Sequence, residues 1–301
     1  MAIYKSNSFN FVVYQLVINS YQLLNTDMNA IISYNRKTLD SVKQWILYED
    51  WTMPPSLFNY GLPSHVFHLI DKPINNDVSE VDYLCHLMST MTCNNHSIRY
   101  LEIGVSVGKN LYTIVQYIKG LAASSHRHTV TGIDIEKINP ILQNLLASSH
   151  TTHKTETFIN TKPTSIRNCT TNVCTQFDDT TLSTRYYEAD EFSSVWTHLA
   201  DPFNLVFSDA LHDPRALMHE YFSLKENNLL DTVNGFFYCF DDLEADDKTG
   251  QMWGAVRRIV SDMTRTFITL DIRVKHLEMN AWLGQHEHKH HFGVITATLK
   301  S

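Results

Sequence analysis

The segment from Arg99 to Thr113 constrains the fold of this chain more than any other part of its 301 residues. Its sequence is RYLEIGVSVGKNLYT: an apolar strand with an acidic residue near its end, a turn with two glycines, and the start of an amphipathic helix. Gly104 and Gly108 stand where the backbone must turn sharply and let a ligand approach, which a side chain would hinder. A strand, a tight turn and a helix in this order predict the ligand-binding edge of a parallel α/β sheet.

The spacing of the turn distinguishes it from a dinucleotide-binding turn. The dinucleotide pattern is G-x-G-x-x-G, with a pyrophosphate on the helix amino terminus. Here the pattern is Glu102-x-Gly104-x-x-x-Gly108, so an NAD-linked oxidoreductase is a weak alternative. The pattern resembles motif I of the Rossmann-like S-adenosylmethionine (SAM) dependent methyltransferases, whose ligand carries an amino acid and a ribose but no phosphate. The resemblance implies that Glu102, Gly104, Ser106 and Gly108 contact SAM.

From Tyr100 onward strand and helix patterns alternate, which favours a largely parallel sheet covered on both faces. The last two strands follow each other closely and can pair as an antiparallel hairpin. The predicted fold class is therefore α/β: a Rossmann-like, doubly wound, mostly parallel seven-stranded sheet with an antiparallel C-terminal strand pair and a helical N-terminal extension. The first strand is predicted from about Tyr100 to the glycine turn, and the others at Thr129–Ile135, Arg185–Asp190, Phe203–Ser208, Gly235–Phe240, Ile272–Leu277 and Phe292–Leu299.

The sequence predicts two domains, a helical N-terminal extension or lid over 1–96 and a SAM-binding methyltransferase domain over 97–301. A first helix near Phe9–Leu24 suits packing or dimerisation, and the proline-broken segment 51–63 suits a lid or a structural wrap. The stretch near 151–184 is rich in Thr with few large apolar residues, which predicts a surface insertion or a poorly ordered loop.

Acidic residues follow the predicted strands, and parallel strands deliver their carboxyl ends to one edge of the sheet. Asp134 follows the second strand and Asp190 the third. Either could instead cap a helix or stabilise a loop. The methyltransferase resemblance implies that Asp134 accepts the ribose hydroxyls of SAM and that Asp190 holds the adenine amine.

A sharper pattern follows the fourth and fifth strands. Asp209 and His212 lie after the fourth strand, and Asp241 and Asp242 after the fifth. Hard carboxylate oxygens are the ligands that Mg²⁺ prefers. The layout resembles metal-dependent small-molecule O-methyltransferases, including catechol-type enzymes and the macrolide and aminocoumarin sugar methyltransferases. The resemblance implies a divalent metal, Mg²⁺, on Asp209, Asp241 and Asp242, with Asp209 also beside the cofactor and the reacting atoms.

His212 is the predicted catalytic base, since an imidazole can remove the acceptor proton near neutral pH. The alternative interpretation is that His212 caps or packs locally at the start of a helix. For Asp241 and Asp242 the alternative is a solvated acidic turn, because further acids follow at Glu244, Asp246 and Asp247.

Two further patterns are ambiguous. The run from Gln285 to His291 could place His286, His288 and His290 on one strand face as a transition-metal site, or could be a solvated hairpin tip. Trp253 and Trp282 could line an acceptor pocket or belong to the core.

These patterns together predict a SAM-dependent methyltransferase that O-methylates a small-molecule acceptor with a divalent metal. The alternatives are a metal-independent N-methyltransferase of the same fold and a non-catalytic binding or assembly subunit.

The net charge of −8 disfavours a nucleic acid partner, and no run is apolar enough to span a bilayer. Five cysteines without a C-x-x-C pair suit a reducing compartment. We therefore expect a cytoplasmic protein without a membrane partner, which can form a homo-oligomer through its N-terminal helices.

Overall fold

The structure is a computed structural model. It describes residues 30–31, 33–35, 80–93, 96–106, 108–121, 127–161, 171–211, 213–241, 243, 251–280 and 289–300. The helices are α1 (Glu80–Cys93), α2 (Lys109–Gly120), α3 (Pro140–Ser149), α4 (Pro214–Glu226) and α5 (Gln251–Thr266). The strands are β1 (Arg99–Ile103), β2 (His128–Asp134), β3 (Thr152–Ile159), β4 (Thr171–Asp178), β5 (Leu182–Glu188), β6 (Leu205–Ser208), β7 (Phe236–Phe240), β8 (Leu270–Asn280) and β9 (Lys289–Leu299).

The strands form one mixed sheet in the order β3-β4-β5-β2-β1-β6-β7-β9-β8 within the described ranges. The five central strands run parallel to one another; they are β5, β2, β1, β6 and β7. The chain moves outward from β1 to β2 and β5, and it then returns to β6 on the other side of β1. This is the winding of a doubly wound α/β sheet, whose ligands bind where the direction reverses. The reversal here lies between β1 and β6.

Helices cover both faces of the sheet and enclose two apolar clusters. One cluster includes the buried stripe of α2, at Leu111, Ile114, Val115 and Ile118, together with residues of α1 and α3. The other includes residues of α4 and α5. On α5, buried Met252, Val256, Ile259 and Met263 follow each other at intervals of three or four residues, which places them on one helical face. The sheet is therefore a central layer, as the alternating pattern predicts.

The predicted seven strands are all present as β1, β2 and β5 to β9, and the C-terminal pair is antiparallel as expected. The strand number was wrong, because the Thr-rich insertion forms β3 and β4 instead of an irregular loop. These two strands pair antiparallel with each other, and β4 pairs with β5. Threonine is β-branched and suits a strand. The side chains of β3 are almost all exposed, so the segment lacks the buried stripe by which a strand is recognised.

A short helical segment of the N-terminal region packs against the sheet domain. The Tyr34 hydroxyl donates a hydrogen bond to the backbone carbonyl of Gln116 at 2.6 Å. The Asn35 amide donates to the Asp82 carboxylate at 2.8 Å. The predicted helix at 9–24 and the segment 51–63 lie outside the described residues, so the division at residue 96 stays a prediction. None of the helices in the described ranges combines the length and apolar character that a membrane crossing requires.

Candidate functional site

The carboxyl ends of the central strands bring the predicted site residues to one edge of the sheet. Ile103 of β1 pairs with Ile133 of β2 and with Ser208 of β6. Ser208 in turn pairs with Phe240 of β7. The residues at and just beyond these positions therefore meet at one edge. We call this edge the carboxyl rim; it comprises residues 104–106 and 108 of the turn, Asp134, Asp209 and Asp241.

The turn after β1 requires glycine at both predicted positions. Gly104 and Gly108 each have a φ angle of 85°, and Ser106 between them has a φ of 52°. The Gly104 N–H donates to the Ile133 carbonyl at 2.9 Å, which anchors the turn to β2. A Cβ at Gly104 would lie 2.3 Å from the backbone oxygen of Asp209. The turn thus passes directly over the end of β6, where only a residue without a side chain fits.

Asp134 ties the turn to the end of β2. Its carboxylate accepts the Ser106 N–H at 2.6 Å and the Glu136 N–H at 2.7 Å. Burial raises the pKa of Asp134, and hydrogen bonds from the backbone N–H groups of Glu136, Ser106 and Val105 oppose this shift. A carboxylate has about four acceptor positions, so acceptor capacity remains for a hydroxyl group. The contact of Asp134 with a ribose stays a prediction.

Glu102 lies below the turn and faces the interior. Its side chain is 1% exposed, and it accepts a hydrogen bond from the Tyr100 hydroxyl at 2.9 Å. Burial raises the pKa of Glu102 well above its usual value, and the negative charges of Asp209 and Asp134 raise it further. Glu102 is therefore a buried, hydrogen-bonded acid at the end of β1, and its direct contact with a cofactor stays a prediction.

Asp190 follows β5 at the same edge of the sheet. It is 6% exposed, and its carboxylate accepts the Phe192 N–H at 2.8 Å. This bond closes a tight turn of the kind that Asp commonly stabilises. The structure thus gives Asp190 the local role that the sequence leaves open, while its contact with adenine stays a prediction.

A buried acid pair that the sequence analysis missed lies next to Asp190. Glu191 is 7% exposed and Glu220 of α4 is 0% exposed. Burial raises the pKa of Glu191 to about 9, and the charge of Glu220 adds to the shift. The Tyr238 hydroxyl donates to Glu220 at 3.2 Å. Nothing in the local sequence distinguishes Glu191 from a solvated acid, because its burial depends on α4 and β7.

The predicted metal ligands are only partly within the described chain. The Asp209 N–H donates to the Ile103 carbonyl at 2.8 Å, and the Asp241 N–H donates to the Ser208 carbonyl at 3.1 Å. Both residues thus continue the ladder just beyond β6 and β7. Asp209 is half-buried, and Asp241 is 5% exposed. His212 and Asp242 lie outside the described residues.

Two carboxylates at neighbouring strand ends have the oxygen chemistry that Mg²⁺ requires. Within the described ranges, no three His, Cys, Asp or Glu side chains lie together as a metal cluster. The third carboxylate of the predicted set, Asp242, is not among those residues, so the complete set stays a prediction.

Trp253 is 5% exposed and packs in the apolar cluster that includes residues of α4 and α5. This supports the interpretation of Trp253 as a core residue. Trp282 lies outside the described chain.

No protein-family model matches the chain, and no curated protein matches its sequence. The chain is similar to the O-methyltransferase TomG of Streptomyces achromogenes, solved with SAM, at 13% identity over 82% of this chain and 91% of that chain, with a TM-score of 0.43. It is similar to an O-methyltransferase of Bacillus cereus solved with SAH, at 14% identity over 87% of this chain and 100% of that chain, also with a TM-score of 0.43.

A third similar structure is the SAH-bound methyltransferase PaMTH1 of Podospora anserina, at 12% identity over 88% of this chain and 96% of that chain, with a TM-score of 0.38. Likeness at these identities and TM-scores carries no argument about what this chain does. Any functional assignment therefore depends on the chain's own strand order and on the geometry of the carboxyl rim.

Proposed function

We propose that this chain is a SAM-dependent methyltransferase that transfers a methyl group to a hydroxyl of a small molecule, with the help of a divalent metal ion, Mg²⁺. The observation that carries the cofactor assignment is the bonding of Asp134. Its carboxylate is fixed by the N–H of Ser106 at 2.6 Å at the carboxyl end of β2, beside the turn that follows β1. A hydroxyl-bearing ligand placed there meets an oriented acceptor beside a turn that has no Cβ atom at Gly104 and Gly108.

In this proposal the rim divides into a cofactor side and an acceptor side. Gly104, Ser106 and Gly108 give close access to the backbone of the turn, Asp134 accepts the ribose hydroxyls, and Asp190 holds the adenine end. Glu102, whose carboxylate accepts a hydrogen bond from the Tyr100 hydroxyl, completes the cofactor side at the end of β1. When bound, SAM supplies an electrophilic methyl group, so the protein's task is to orient the donor and acceptor in line.

On the acceptor side, Asp209, Asp241 and Asp242 would hold the metal ion. When bound, a divalent cation stabilises the anionic form of an acceptor oxygen. His212 would take the proton of the acceptor hydroxyl, and Asp209 lies between the two sides of the rim. The backbone bonds of Asp209 and Asp241 to neighbouring strands support the proposal, because they hold both residues in register at one edge.

Calorimetry with SAM and with Mg²⁺ tests the two parts separately. We expect SAM to bind the wild-type chain, and Asp241→Asn to weaken Mg²⁺ binding by at least about tenfold with little change in SAM affinity. Asp201→Asn is the matched control, since Asp201 is exposed before β6 at the opposite edge of the sheet. Equal Mg²⁺ binding by all three proteins would remove the metal assignment.

The alternatives predict different results. A metal-independent N-methyltransferase would turn over in the presence of a strong chelator. A non-catalytic assembly subunit of the same fold would not bind SAM in the calorimeter, and it would then use its surfaces for a partner. The homo-oligomer and the cytoplasmic location are further proposals, which sedimentation of the purified chain and localisation of a tagged chain in cells would test.

A further inference from the structure

The last residues of β8 and the first residues of β9 lie beside the carboxyl rim. β9 runs antiparallel to β7, and β8 runs antiparallel to β9, so β8 points in the same direction as β7. Phe240 at the end of β7 is opposite Gly293 of β9. The Leu243 N–H donates to the His291 carbonyl at 2.8 Å. His291 therefore lies level with Leu243, two residues after Asp241.

Two histidines meet on this hairpin. His276 of β8 is opposite Gly293, so His291, two residues before Gly293 on β9, shares its face of the sheet. His276 Nε2 and His291 Nδ1 lie 3.0 Å apart. The ring centroids are 5.1 Å apart, with an angle of 35° between the ring planes. The hairpin register thus brings two nitrogen ligands together that are fifteen positions apart in the sequence.

Neighbouring groups hold this pair in place. The Trp253 ring of α5 meets the His276 ring edge to face, with centroids 5.3 Å apart. Trp253 is itself 5% exposed and belongs to an apolar cluster. Both histidines are partly buried and lie on paired strands, so little conformational freedom is lost if they bind a common ligand.

A nitrogen pair at this distance either shares a proton or shares a metal ion. Two imidazole nitrogens at about 2.0–2.1 Å from one ion, at angles of about 90–110°, lie roughly 2.8–3.4 Å apart. The observed 3.0 Å falls in this range. Imidazole is a preferred ligand of zinc, copper and nickel, whereas the oxygen ligands of the carboxyl rim suit magnesium.

We propose that His276 and His291 form a transition-metal site for an ion of the zinc, nickel or copper class, separate in ligand chemistry from the carboxyl rim. Within the described ranges no third ligand joins them, so the remaining coordination positions are open to water. The site would join β8 to β9 next to the acceptor side of the rim. It does not depend on the proposed methyltransferase activity.

Zinc titration of the tag-free, full-length chain by calorimetry tests the proposal. We expect binding of Zn²⁺, and His276→Gln and His291→Gln should each weaken it by at least about tenfold. His153→Gln is the matched control, because His153 is an exposed strand histidine on β3 at the far side of the sheet. Circular dichroism of each variant confirms that the fold is retained.

Fluorescence gives a second, independent measurement. Cu²⁺ quenches a nearby indole, so the wild-type chain should lose more emission on Cu²⁺ addition than Trp253→Phe loses. Zinc binding that survives both histidine substitutions would assign the ion to other ligands, such as the sequence run that contains His286 and His288, and would overturn the proposal. Absence of zinc binding in the wild-type chain would also overturn it, since the two histidines would then share only a proton.

Discussion

Replacement of Gly104 by alanine tests how the turn of the carboxyl rim is built. The residue has a φ of 85°, and an L-residue in the left-handed region costs about 1–2 kcal/mol. The new Cβ would also lie 2.3 Å from the Asp209 oxygen and 2.6 Å from the Ala210 Cα, which are both backbone atoms. Overpacking of this kind, with the backbone shifts that it forces, typically costs about 1–3 kcal/mol. We therefore expect Gly104→Ala to lower the free energy of unfolding by roughly 2–5 kcal/mol.

Gly254→Ala is the matched control, since a Cβ at Gly254 would meet nothing within 4 Å. This glycine lies inside α5, where alanine is favoured over glycine by about 1 kcal/mol. The same substitution should therefore stabilise the chain at one position and destabilise it at the other. Urea unfolding followed by circular dichroism measures both. If Gly104→Ala were as stable as the wild type, the close passage of the turn over β6 would be wrong.

Three other substitutions test separate parts of the site. Asp134→Asn should weaken SAH binding in a calorimeter by at least about tenfold, because an amide NH₂ would face the N–H of Ser106 or Glu136; unchanged affinity would exclude Asp134 as the ribose acceptor. Gly108→Ala should destabilise the chain less than Gly104→Ala in urea, because its Cβ would meet the end of the Leu142 side chain, which can rotate; an equal or larger loss would contradict this. Glu191→Gln should flatten the dependence of stability on pH. The folded-state pKa of Glu191, about 9, lies above the ordinary 4.5. Between these two pH values the folded chain retains a proton that the unfolded chain releases. The free energy of unfolding therefore falls as pH rises across this window. Thermal unfolding of the wild type and of Glu191→Gln at pH 5 and pH 8.5 checks this prediction. If stability changed equally with pH in the two proteins, Glu191 would not be the cause.

The central sheet could be predicted because its strands are buried, apolar and separated by amphipathic helices. β1, for example, is buried at four of its five positions, and its glycine turn follows directly. β3 was missed because its exposed, polar side chains give no periodic signal. Its β-branched composition was the signal available, but threonine is also common in loops. Secondary structure is thus most visible in sequence where one face must be buried.

The position of the site followed from topology, whereas its contacts did not. Asp134, Asp209 and Asp241 were expected to meet, since parallel strands end at one edge. The bond between Asp134 and the Ser106 N–H, the burial of Glu191 against Glu220 and the meeting of His276 with His291 depend on the packing of distant elements. No local pattern encodes them, because each partner lies in a separate strand, helix or loop.

A crystal structure of the chain with SAH tests the central claim most directly, through the distances from the ribose hydroxyl oxygens to the Asp134 carboxylate. We predict that SAH lies across the ends of β1 and β2, with at least one ribose hydroxyl within hydrogen-bonding distance of Asp134 and the homocysteine part near Gly104. SAH bound elsewhere, or a cleft beside Gly104 that is filled by the protein's own side chains, would contradict the assignment.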